Sequence, residues 1–154
     1  MNPGTPWLVA GGFLSLAAAL LHLAVVVGGP DWYRFFGAGE RMATAAERGA
    51  WQPALITIGI AAVLAVWAAF AFSGAGWMRR LPLLRTGLVG ISSIYLLRGL
   101  VLFHAMIFVP KAVTPFLIWS SLIVLVYGST YALGTFKAWP TLSAKEVVNA
   151  LDPR

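Results

Sequence analysis

The stretch TGLVGISSIYLLRGLVLFHAMIFV, Thr86 to Val109, holds one charged residue in 24, Arg98 near its middle. A helix needs ~20 mostly apolar residues to cross ~30 Å of hydrocarbon at 1.5 Å per residue. This stretch has that length and no period-two alternation, which argues against a barrel strand. Three further blocks match it: Trp7 to Gly28 (WLVAGGFLSLAAALLHLAVVVG), Pro53 to Phe72 (PALITIGIAAVLAVWAAFAF) and Pro115 to about Phe136. The sequence therefore predicts an all-α integral membrane protein, a single membrane domain over 1–154. It is a four-helix bundle with spans at about 7–28, 53–72, 86–109 and 115–136.

Composition agrees. Of 154 residues, 60% are hydrophobic and 10% charged, with a mean hydropathy of +0.83. A soluble domain carries roughly 25% charged residues. Too few remain here to cover a water-facing globule, and disorder is excluded for the same reason. The first block has no basic region ahead of it and is longer than a signal-peptide core, so it reads as a retained span. The absence of cysteine excludes disulfides, thiolate metal sites, iron–sulfur clusters and thiol redox chemistry. The net charge of +6 and pI near 10.3 are spread over span ends, with Arg79, Arg80 and Arg85 the one cluster. That is a topology signal and an attraction to anionic lipid. Membrane lipid is the expected partner, and nucleic acid is not.

Trp7, Trp32, Trp51, Trp77 and Trp139 fall at or just past span ends, where an indole keeps its N–H among headgroups. Arg79, Arg80, Arg85, Lys137, Lys145 and Arg154 fall on one side, and Arg34, Arg41, Arg48 and Lys111 on the other. The positive-inside rule then predicts a multi-pass protein of an inner, plasma-type membrane with both termini cytoplasmic.

The outer connection 29–52 is long for so small a protein, and long structured loops are often functional. Asp31 can cap a short turn, DWYRFF, and GAGERMATAAERG reads as a helix bracketed by Gly. Glu40 and Glu47 share one face of that helix, as do Arg41 and Arg48, over an Ala- and Met-lined side suited to the interface. Past the last span, Ser143 and Glu146 have capping-box spacing, predicting a short cytoplasmic helix at about 143–151 with Val147, Val148 and Leu151 on its apolar side. The first and third spans also end alike, LLHLAVVVGGP and LFHAMIFVP, as two tandem hairpins would.

Arg98 is the most informative residue. A charge at that depth costs at least ~2.5–3.5 kcal/mol, and no span contains an Asp or Glu to pair with it. On a helical wheel Arg98 shares an arc with Ser92, Tyr95 and Gly99, while Ser120, Tyr127, Tyr131 and Gly134 share a face of the fourth span. A polar seam between the third and fourth spans follows. It either glues the bundle or presents the guanidinium to something anionic or carbonyl-bearing, such as a lipid phosphate, a quinone or a small anion. The third alternative folds the outer loop inward, so that Glu40 or Glu47 pairs with Arg98.

His22 and His104 are the two histidines, both inside spans and at comparable depth. Such a pair in a four-helix bundle can hold a b-type haem axially, or a transition metal if Glu40 or Glu47 adds a third ligand, with Arg34 placed for haem propionates. The plainer reading is two hydrogen-bonded packing residues. Gly11, Ser15 and Ala19, then Ala61, Ala65 and Ala69, and Gly128 with Ala132 repeat small residues every four positions, which allows close approach within the bundle or between copies in a homo-oligomer. No phosphate-binding loop, dinucleotide fingerprint, zinc-protease motif or nucleophile elbow is present. The leading expectation is a binding or transport module for a small anionic or polar ligand, using Arg98, Tyr95, Tyr127, Ser92, Tyr131, Glu40 and Glu47. The alternatives are a bis-histidine haem or metal electron carrier built on His22 and His104, and a structural or accessory subunit.

Overall fold

The computed structural model describes residues 3–151, with side chains as far as Leu142. The described residues form helices joined by short connections, with no strand among them: α1 Thr5–Gly28, α2 Pro30–Phe35, α3 Glu40–Glu47, α4 Gln52–Gly74, α5 Leu84–Phe108 and α6 Pro115–Leu151, with a 3₁₀ turn at Pro110–Ala112. Four of these, α1, α4, α5 and the part of α6 to Leu142, are long and apolar enough to cross a membrane. Pro6, Pro30 and Pro53 each stand in a helix's first turn, where the missing N–H would have had no intrahelical partner. Gly29, at φ 71°, gives α1 its stop and lets α2 turn away at once.

The spans meet in antiparallel pairs. Gly12 lies against Phe72 and Leu8 against Gly74, joining α1 to α4, while Gly99 lies against Leu125 and Gly128 against Leu96, joining α5 to α6. A Cβ on Gly128 would stand 2.9 Å from the Leu96 backbone nitrogen, so this approach requires glycine. The pairs join chiefly in the half nearer the termini, where Leu8 meets Gly134, Gly11 meets Tyr131 and Phe70 meets Gly87. The main core sits there, with Leu8, Leu88, Ala71, Ile91, Tyr95 and Tyr131 buried together.

At the opposite end α2 and α3 form a cap. Tyr33 and Ala43 bury against Val25 of α1, with Met42 and Ala46 packed around them. The Ala and Met side of α3 is thus covered by the protein itself. Gly37 reaches Phe116 at the start of α6, so the cap touches both pairs.

Three details differ from the sequence reading. First, α6 continues through Pro140 to Leu151, so 143–151 prolongs the last span instead of forming a separate helix. Pro140 removes one donor, but around it the Thr141 hydroxyl donates to the Ala138 carbonyl and Arg80 to that of Leu142. The capping-box side chains Ser143 and Glu146, and the apolar side expected from Val147, Val148 and Leu151, lie outside the described side chains. Second, of the Ala61, Ala65 and Ala69 stripe only Ala61 is buried, whereas Gly11, Ser15 and Ala19 are all buried. Third, the equivalent positions of the suggested repeat, His22 and His104, have unlike surroundings: the first is half-buried and the second exposed.

Candidate functional site

At the centre of the core, four groups form one hydrogen-bonded chain. The Ser15 hydroxyl lies 2.9 Å from that of Tyr95 and 2.8 Å from that of Tyr131, and Tyr131 donates to the Trp67 carbonyl at 3.0 Å. Each hydroxyl has a single proton, and a carbonyl only accepts. Tyr131 spends its proton on Trp67, so Ser15 must donate to Tyr131, and Tyr95 to Ser15. All four spans are tied by this directional chain, and every proton in it is used. Ring contacts close the space around it: Tyr95 packs edge-on against Trp67 at 4.8 Å and against Tyr127 at 5.5 Å.

Arg98 stands apart from this chain. One guanidinium nitrogen, Nη1, donates to Ser121 Oγ at 3.3 Å. Ser121 is fully buried, whereas Arg98 is exposed on α5. By the helical rise, the Arg98 Cα lies ~15 Å from the loop end of α5 and Ser121 ~9 Å from the start of α6. The side chain therefore runs ~6 Å along the bundle toward the cap, as a snorkelling arginine does. The guanidinium still sits below both helix ends, and most of its five N–H donors have no partner among the described residues.

Of the residues expected around Arg98, the structure brings none to it. Tyr95 and Tyr131 face Ser15. Tyr127 lies half-buried against Tyr95, and Ser92 donates to its own helix at the Leu88 carbonyl, 2.7 Å away. Glu40 and Glu47 do not fold inward. Arg34 Nη2 reaches Glu40 at 2.7 Å and Glu47 at 2.8 Å, and its Nη1 meets Asp31 at 3.5 Å. The hydrogen bonds to Glu40 and then Glu47 hold the Arg34 guanidinium above its ordinary range, and Arg34 in turn holds the exposed Glu40 carboxyl below its own. The inward pairing with Arg98 is thus corrected: both carboxylates are engaged in the cap by a nearer cation.

The expectation that His22 and His104 face one interior level is corrected too. The His22 ring bonds to the Ala18 carbonyl at 2.7 Å through Nδ1, within its own helix. His104 is exposed and touches Phe108 with ring centroids 4.7 Å apart. It lies nine residues, or half a turn in net rotation, from the inward-facing Tyr95. One chain therefore does not offer both imidazoles to one pocket. Arg34, expected near propionates, is bound by carboxylates instead. Among the described residues no three His, Asp or Glu side chains gather as metal ligands.

A cleft of about 780 Å³ opens at the terminus end, bounded by Thr5, Val9, Ser73, Trp77, Arg80 and Thr141. It is at the far end of the bundle from the Arg98 guanidinium. Two residues that matter were missed in the sequence. Ser15 was visible only as a small residue in the Gly11 stripe. Ser121 stands about 100° around the helix from Ser120, the serine that shares the Tyr127 and Tyr131 face and that donates weakly to the Leu117 carbonyl at 3.4 Å. No family model, curated protein or solved structure matches this chain.

Proposed function

We propose that this protein is a membrane-embedded binding module that uses Arg98, seated on Ser121, to hold an anionic or carbonyl-bearing group presented to it from within the bilayer. The observation that carries this is the exposure of a guanidinium inside the span, ~9 Å below the start of α6, whose one partner among the described residues is a hydroxyl at 3.3 Å. In hydrocarbon each unmet donor costs several kcal/mol, so leucine would be the more stable choice at this position unless something outside the chain meets the remaining donors. The closed Tyr95–Ser15–Tyr131–Trp67 chain favours binding over transport. A passage through the bundle would have to break it.

The same reading has the protein in an inner, plasma-type membrane with cytoplasmic termini, supported by the Arg79, Arg80 and Arg85 cluster at the terminus end. Native mass spectrometry of gently extracted protein tests the binding. Wild type should carry an anionic or carbonyl-bearing adduct that Arg98→Lys weakens and Arg98→Leu loses, because lysine keeps the charge without the planar fork. Identical adducts on wild type and Arg98→Leu would show the reading to be wrong.

A further inference from the structure

Resting on that reading of Arg98, we infer that the group it holds is the carboxylate of an Asp or Glu on a transmembrane helix of a different protein, docked along the outward side of α5. That side is not built for lipid. At 100° per residue Ser93, His104, Leu97, Gly90, Val101 and Ile94 follow one another around about 100° of the helix, and Arg98 stands about 40° beyond Ile94, past the buried Ala105, at the edge toward α6. Ser93, Arg98 and His104 are exposed polar residues among apolar ones, and Leu97 at the middle of the arc is 66% exposed. Polar side chains on a span are satisfied by a neighbouring helix, and small residues let that helix approach. A Cβ on Gly90 would meet nothing within 4 Å, which leaves the ridge low at that point.

Charge selects among the occupants. A second copy cannot answer Arg98, because the five carboxylates of the chain, Asp31, Glu40, Glu47, Glu146 and Asp152, all lie outside the spans. A symmetric pair on this face would set like charge against like charge. A lipid phosphate sits above the hydrocarbon, whereas the guanidinium lies at the level of Ser121, ~9 Å below the start of α6. A carboxylate built into a partner span can be placed at that depth. There it accepts two parallel N–H bonds from the guanidinium, and the two charges neutralise each other.

The absence of cysteine makes the test direct. The full chain carrying Leu97→Cys has one thiol and is reconstituted in phosphatidylcholine vesicles. It is mixed with synthetic single spans of leucine and alanine, flanked by lysine and carrying one cysteine, with Glu, Gln or Leu at the depth of Ser121. Disulfide capture of the Glu span should exceed that of the Leu span about tenfold, the scale of a strong interhelical polar contact, with the Gln span between them. Arg98→Leu and Arg98→Gln should both reduce the Glu span to the Leu level, and Arg98→Lys should keep only part of the preference, because lysine holds the charge without the planar fork. Equal capture of Glu and Leu spans by wild type, or a Glu preference that survives Arg98→Gln, would overturn the inference. If capture shows no Arg98 dependence while native mass spectrometry shows Arg98→Leu losing a phospholipid or small anion, the binding reading stands and the partner helix falls. If neither depends on Arg98, both fall.

Discussion

Ser15 and Tyr131, 116 residues apart in sequence, share a hydrogen bond of 2.8 Å where all four spans converge. The bond joins the first span to the last. Through the Trp67 carbonyl and the Tyr95 hydroxyl it reaches the other two.

Tyr131→Phe should therefore destabilise the bundle without touching the Arg98 site. It removes the acceptor of Ser15 and the donor to Trp67 at a residue that is 0% exposed. Interhelical hydrogen bonds in membranes are worth about 0.6 to 1.7 kcal/mol, so the loss should be about 1 to 2 kcal/mol in thermal unfolding. Ser15→Ala should cost a similar amount, and the double variant less than the sum, because both act on one chain. Additive losses would mean that the hydroxyls are not linked.

The cap should respond to acid late. Arg34 holds the Glu40 carboxyl below its ordinary value of 4.5 by direct hydrogen bonding. A carboxylate depressed in the folded state contributes stability that is fully present above its ordinary value. That contribution is lost as pH falls through the lower folded value. A ¹³C titration of the Glu40 carboxyl should give a midpoint below 4.5 that moves up in Arg34→Gln. A wild-type midpoint at or above the ordinary value would refute the clamp.

Orientation is testable with single thiols. Met78 and Arg48 are exposed at opposite ends of the bundle. In intact cells Arg48→Cys should react with a membrane-impermeant maleimide and Met78→Cys should not. The reverse pattern would invert the topology.

The spans were legible because membrane crossing is written in length and hydropathy, and the helices observed begin and end within about two residues of the expected bounds, apart from the continued α6. The seam was legible only in part. Tyr95 and Arg98 are three residues apart, so a helical wheel puts them on one arc. A wheel says nothing of direction along the axis, and the Arg98 side chain runs toward the cap to Ser121 while the hydroxyl of Tyr95 meets Ser15. The shared face of Glu40 and Glu47 was readable from their spacing. Their partner Arg34 was not, because it is brought to them by the turn at Gly37 and Gly39, both at positive φ. His104 shows the opposite case. Its half-turn separation from Tyr95 is present in the sequence, whereas matched depth with His22 carries no information on direction around the helix.

The central claim is that something outside the chain satisfies Arg98, and ligand linkage measures it most directly. Whatever binds the folded protein raises its stability. The melting temperature of wild type should therefore be several degrees higher in nanodiscs drawn from the native membrane than after transfer to pure phosphatidylcholine. In Arg98→Leu that difference should vanish, with the variant folded in both settings. If Arg98→Leu keeps the full difference, or melts higher than wild type in the native membrane, Arg98 holds nothing there and the account is contradicted.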